Sequence, residues 1–196
     1  MDYGCSARYR KISAWMLGSE SAAVSCSTSS AMETTDYDRI AFTRLTKIPP
    51  AAIIDLMNDP AVLRHLPLAR DEFGEVECDL FVAIKERMWE ERGFGPWAFV
   101  LDDEFIGWGG LQPEGDDVDV GLVLNRKYWG AGPALYRRIL THAFEDLCVD
   151  SVTALLPPSR TRVAALRRLG FREDGEIVIQ DQRFIRYRLI RSDRRT

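Results

Sequence analysis

At 196 residues the chain has room for one domain with a sizeable core, plus an extension. Hydrophobic residues at 46% and charged residues at 29% are ordinary for a globular protein, and a net charge of −4 argues against bulk affinity for nucleic acid or a membrane surface. No apolar run approaches the roughly 20 residues of a membrane span, and Cys5, Cys26, Cys78 and Cys148 are scattered without metal-ligand spacing. Reduced thiols and a cytoplasmic location are therefore expected. With only His65 and His142, no His-rich metal site can be drawn, and no metal is expected.

The chain opens differently from the way it continues. Ser19 to Thr35 is small, polar and aperiodic, and such a stretch buries too little surface to offset the entropy of ordering it. Residues 1–35 are expected to be a disordered or non-native extension, and 36–196 the folded domain. Arg8, Arg10, Lys11 and the serines have transit-peptide character, against which Asp2, Glu20 and Glu33 count; a start at Met32 is the preferred alternative.

Arg39 to Leu45 alternates as a first strand. Pro49 to Asn58 reads as a helix with Ile53, Ile54 and Met57 on its apolar face. A short turn from Pro60 to Pro67 follows. Phe73 to Arg92 carries a longer helical pattern through Leu80, Ile84, Met88 and Trp89, with an acidic surface at Glu75, Glu77, Asp79, Glu86, Glu90 and Glu91 that plain solvation explains. Trp97 to Leu101 and Phe105 to Leu111 are strands joined by a tight turn at Asp102–Asp103. Gly107, Gly109 and Gly110 mark bulges or close backbone approach in the second of them. Trp97, Phe99 and Trp108 are more often core than pocket lining by composition.

Val118 to Leu124 is a valine-rich strand interrupted by Asp119 and Gly121. A basic, aromatic, glycine-bearing loop runs from Arg126 to Gly132. The next helix starts at Pro133, where a missing N–H costs nothing, and puts Leu135, Ile139, Ala143 and Leu147 on one face. Strand, loop and helix together form an anion site, because backbone N–H groups and the positive helix end converge on one spot. Gly130 and Gly132 taken alone are better read as ordinary turn residues. Ser151 to Leu156 is the next strand, closed by Pro157–Pro158. A helix from about Ser159 ends at Leu169, with Gly170 suited to a left-handed cap. Glu173 to Ile179 and Arg183 to Ile190 are final strands turning at Asp181–Gln182.

Taken together, Gly107–Trp–Gly–Gly–Leu111, Asp119–Val–Gly121, Tyr128–Trp–Gly–Ala–Gly132 and the amphipathic helix resemble the GNAT superfamily of acyl-CoA N-acyltransferases. The branch of ribosomal-protein N-terminal acetyltransferases is the most similar. In the superfamily's Q/R-x-x-G-x-G/A pattern, Trp129 takes the Q/R place, Gly132 the first Gly and Ala134 the last. The resemblance runs from about Arg39 to Ile190. It implies a mixed α/β fold, a central twisted sheet of six or seven strands with helices on both faces. It implies acetyl-CoA as cosubstrate and a primary amine as acceptor, a protein or peptide α-amine or a small molecule such as an antibiotic, polyamine or amino acid. A monomer or homodimer is expected, with no nucleic-acid or membrane partner.

The same resemblance distributes the site residues. Lys127, Tyr128, Trp129, Gly130, Ala131, Gly132 and Ala134 would cradle the pyrophosphate, mostly through backbone amides. The pantetheine arm would lie beside Leu122 and Leu124, with Ser151 to Leu156 splaying away to admit it. Ser159 stands where many relatives have Asn, Arg162 where they often have Ser, and Leu166 where some have a Tyr acid, so no side-chain acid for the departing thiolate is evident. Arg160 and Arg162 could meet CoA phosphates or simply face solvent. The acidic helix would border the acceptor pocket. Asp119, where relatives often have Glu, is the visible base, and the alternative is a structural or orienting strand residue. An α-amine near pKa ~7.7–8.0 costs about 1 kcal/mol to deprotonate at neutral pH, against about 4–5 kcal/mol for a lysine-like amine. A weak base such as Asp119 therefore suits an α-amine better. The non-enzymatic rival is an acyl-CoA-binding domain without catalysis.

Overall fold

A computed structural model describes residues 37–66, 68, 72–158 and 163–194. The expected extension therefore lies outside the described residues, as do Ser159, Arg160 and Arg162. The elements in chain order are β1 (Ala41–Thr43), α1 (Pro50–Asn58), α2 (Pro60–Leu63), α3 (Glu75–Arg92), β2 (Pro96–Leu101), β3 (Glu104–Glu114), β4 (Asp117–Leu124), α4 (Gly132–Thr141), β5 (Ser151–Leu156), α5 (Ala164–Leu169), β6 (Arg172–Ile179) and β7 (Gln182–Ile190). All seven anticipated strands exist and form one sheet in the order β1-β2-β3-β4-β5-β7-β6. Among these, β1 is shorter than its alternation suggests, because single 3₁₀ turns at Tyr37–Arg39 and Leu45–Lys47 flank it.

Turn chemistry sets the hairpins. Asp102 and Asp103 both take positive φ, 49° and 63°, which joins β2 to β3 with the twist a two-residue hairpin needs. The last hairpin turns at Gln180 and Asp181 (φ 48° and 62°), one residue earlier than the sequence suggests. At the start of α3 the Glu77 carboxylate accepts the Gly74 amide at 3.1 Å, and Gly93 (φ 72°) ends the helix. Gly170 (φ 102°) caps α5 as expected.

Strand register assigns the two faces. Gln112 stands opposite Asp119 and Trp108 opposite Val123, all on the face covered by α3. Leu122 and Leu124 stand opposite Gly109 and Gly107 and point to the other face. There α4 packs with Arg138 4.0 Å over the Phe42 ring and its continuation sets His142 against Trp97. Gly107 is obligatory at its position: a β-carbon would lie 2.3 Å from the Val123 carbonyl, and its φ is 151°. The α3 face differs from the expectation. Its buried stripe is Cys78, Phe81, Lys85 and Met88, whereas Leu80 is 37% exposed.

All neighbouring strands pair antiparallel except β4 and β5, which run parallel and register only at Asp119–Thr153. At the closed end of this fork, Arg188 of β7 grips Asp117 of β4 through two bonds of 2.6 and 2.9 Å. It also reaches Ser151 Oγ at 2.9 Å and Asp174 at 2.8 Å. Arg186 adds a contact to Asp174 at 2.9 Å. The Arg188 hydrogen bonds, above all, hold the Asp117 carboxyl below the usual carboxylate range. Arg188→Met should lower the melting temperature by about 4–8 °C near pH 7. A lowered carboxyl pKa stabilises above the unfolded value and is lost as pH falls through the folded one. The gap between wild type and variant in thermal melts should therefore narrow as pH falls below about 4; a gap independent of pH would show that the arginine acts by packing alone.

Candidate active site

Beyond the Asp119–Thr153 bridge, β4 and β5 share no further registered pair. Residues 120–124 turn alternate backbone groups toward β3, and the others toward the resulting opening. Leu122 and Leu124 are fully buried, with side chains against Gly109 and Gly107, so their backbone rather than their side chains is what they can offer at the opening.

The chain leaves β4 into a 3₁₀ turn, Arg126–Ala131, that continues directly into α4. The Asn125 carboxamide caps it by accepting the Lys127 amide at 3.1 Å. Trp129 pins the turn to the strand, donating from Nε1 to the Leu124 carbonyl at 3.1 Å, with its ring edge-on to His65. Lys127 and Tyr128 both engage Glu104, at 3.1 and 2.5 Å. The Tyr128 hydroxyl, followed by Lys127, holds that carboxyl below its usual range. Gly130 is exposed, and a β-carbon there would meet the Tyr37 hydroxyl at 2.9 Å. Ala131 and Gly132 are buried, and Ala134 is half-buried in the first turn of α4.

Gly132 departs from expectation in one respect. Its φ of −48° and ψ of −50° are helical and open to any residue, and its amide already donates to the Trp129 carbonyl. Conformational freedom is therefore not why glycine stands there.

Asp119 sits at the fork itself, 2% exposed, with Oδ1 accepting from Thr153 Oγ1 at 3.3 Å. On the same face lies a group the sequence did not single out. Lys85 of α3 is wholly buried and donates to Gln112 Oε1, the residue directly across from Asp119. Its Nζ lies 5.3 Å from the Trp108 ring centroid and 5.5 Å from that of Phe81. Burial pushes the Lys85 ammonium down to about 7, and the charge of Asp119 acts in the opposite direction. Trp108 is fully buried, and its indole N–H has no hydrogen-bond partner among the described residues. The one sequence signal for Lys85 is its place, seven residues after Cys78 and four after Phe81, on a face of α3 other than the Leu80–Ile84 one that the sequence suggests.

A separate cavity of about 270 Å³ lies between the second half of α3 and the β3–β4 turn, lined among others by Met88, Glu91, Arg92 and Pro113. It is at the opposite end of β4 from the Arg126–Ala131 turn. Among the described residues no helix is long and apolar enough to cross a membrane.

A seven-stranded sheet forked between two parallel strands, with a glycine turn feeding a helix at the fork, is the architecture of an acetyl-CoA-dependent N-acetyltransferase. The chain matches the acetyltransferase (GNAT) domain family over residues 14–172 and belongs to it. Solved structures agree at the level of the fold. An acetyltransferase of the GNAT family from Bacillus anthracis superposes with a TM-score of 0.64 at 16% identity, covering 79% of this chain and 96% of that one. A mutant of spermidine N-acetyltransferase from Vibrio cholerae gives 0.60 at 15% identity, covering 79% and 95%. The protein is thus a GNAT acetyltransferase, an enzyme that acetylates amines.

Proposed function

We propose that this enzyme binds acetyl-CoA with its pantetheine arm in the β4–β5 fork and its phosphates at the turn Tyr128–Ala134, and passes the acetyl group directly to a primary amine. The observation that carries this reading is the single parallel bridge at Asp119–Thr153, which opens the sheet beside the start of α4. The turn and the helix end supply donors and positive potential. Three-ten hydrogen bonds such as Tyr128 to Asn125 and Gly132 to Trp129 are poorer than α-helical ones, so an anion competes for those amides at little cost. Backbone amides near Leu122 polarise the thioester oxygen. Asp119 accepts the proton that the acceptor ammonium must lose. The amine nitrogen then attacks the carbonyl carbon and the C–S bond breaks. The second proton that the nitrogen must lose passes through water to the departing CoA thiolate, giving the amide and free CoA. Positioning the two reactants together supplies much of the remaining rate.

For the acceptor, we propose the α-amine of a protein or peptide, in keeping with the resemblance to ribosomal-protein N-terminal acetyltransferases. Its low pKa suits a lone carboxylate base. A polyamine is the second reading, favoured by the acidic surface of α3 and by the spermidine enzyme among the structural neighbours. Turnover of acetyl-CoA against a panel of peptides with free N-termini, polyamines and aminoglycosides tests both. Preference for peptides supports the first, preference for polyamines the second, and no turnover with any amine would leave an acyl-CoA-binding domain. We further propose that residues 1–35 contribute nothing to the domain and that the enzyme works in the cytoplasm. A chain beginning at Met32 should keep its melting temperature and CoA affinity; a loss of several degrees would mean that the segment docks.

A further inference from the structure

The buried face between α3 and the sheet holds more polar chemistry than a core requires. Register places Gly110 opposite Gly121, between the pairs Trp108–Val123 and Gln112–Asp119. Neither glycine carries a side chain, and the Lys85 ammonium reaches this region from α3, donating to Gln112 Oε1 with the Trp108 and Phe81 rings on its flanks. An amide oxygen, two aromatic faces and a nearby carboxylate are the surroundings that keep a cation charged inside a protein. Leaving any ammonium there uncompensated would be costly, and an apolar residue would fill the same space without that cost.

We propose that Lys85 is a positioning residue for catalysis: through Gln112, its ammonium keeps Asp119 ionised and aimed at the fork when the acceptor amine arrives. The proposal rests on Asp119 being the base. The groups facing Lys85 bear this out chemically. From β3 they are Trp108 and Gln112, from β4 Asp119, and from β5 Thr153, which bonds Asp119. On α3 itself the other buried residues are Cys78, Phe81 and Met88, and α1, packed against α3, buries only Ile53, Leu56 and Met57, none of them charged. Asp119 is the carboxylate of this set. Of the charges elsewhere on α3, Glu86 is occupied by Arg44 at 2.6 Å, and Arg87, Glu91 and Arg92 line the separate cavity.

The sign of the effect follows from burial. A carboxylate as enclosed as Asp119 is driven toward its neutral form unless a cation opposes it. Removing Lys85 therefore raises the pH at which Asp119 becomes a base. In Lys85→Met the acid limb of the kcat/KM profile should move up by about one pH unit or more, with activity near pH 7 down about 10-fold and recovering at alkaline pH. Acetyl-CoA affinity should stay at its wild-type value. A merely structural lysine would lower the melting temperature and leave the profile where it was, and that result overturns the proposal.

Asp119→Asn separates this proposal from the reading beneath it. If Asp119→Asn keeps its turnover, the base assignment fails and Lys85 has nothing to position. If Asp119→Asn is impaired while Lys85→Met keeps the wild-type profile, the base assignment stands and the proposal for Lys85 falls. Should Lys85→Met not fold, NMR of the lysine side chains in the intact protein decides the matter. Lys85 should titrate near neutral pH in wild type and at least about one unit lower in Asp119→Asn, where the opposing charge is gone. The same midpoint in both proteins would show that the two groups are uncoupled and would overturn the proposal.

Discussion

Asp119→Asn should lower kcat by about 10²-fold or more while acetyl-CoA binds as before, the size of effect that loss of a general base produces. The substitution suits the site. Asn retains an oxygen that can accept from Thr153 Oγ1, now 3.3 Å from the carboxylate, so the single bridge between β4 and β5 is preserved. Losing the negative charge leaves Lys85 buried without its counter-charge, but a lysine already brought down to about 7 can shed its proton rather than unfold the domain. A melting curve close to wild type, together with lost turnover, would assign chemistry rather than structure to the carboxylate. Near-normal turnover in the folded variant would reduce Asp119 to an orienting residue and hand proton removal to solvent.

Gly132→Val should weaken CoA binding about 10-fold to 100-fold, the loss of one charge-assisted hydrogen bond at about 1.5–3 kcal/mol. Backbone strain is excluded as the cause, since φ −48° and ψ −50° suit valine. Helix propensity does not penalise the change either, because glycine is the poorer helix former. What remains is bulk: a branched side chain on a buried residue at the junction of turn and helix, beside Pro133, which has no N–H to offer. Far-UV circular dichroism and the melting temperature should stay near wild type, and isothermal titration should register the loss with CoA. Pantetheine without the nucleotide should bind both proteins alike. An unfolded variant would make Gly132 a packing glycine. A folded variant with unchanged CoA affinity would remove the phosphates from this turn.

What could be recognised without coordinates were the features encoded over a few residues. Valine-rich alternation, the Asp102–Asp103 turn, Pro133 at a helix start and Gly170 at a helix end each constrain only their own backbone, so seven strands and their connecting helices were legible in the chain. The glycine turn and Asp119 belong to one continuous stretch, and for that reason they stood out together. Everything that depended on residues distant in sequence had to await the tertiary structure. Arg188 meets Asp117 across 71 positions, and Lys85 meets Gln112 across 27. Neither pairing leaves a periodic trace, because a charge on a strand or helix reads as solvated until its partner is known. Lys85 even disguised the true face of α3, since a lysine in the buried stripe breaks the apolar spacing and draws attention to Leu80 and Ile84 instead. The reason for a glycine is equally non-local. Gly130 is opposed by Tyr37, more than ninety residues upstream, and Gly107 by the carbonyl of Val123 on the neighbouring strand. Local propensity marked these positions as special, and only the packing of one strand or side chain against another decided why.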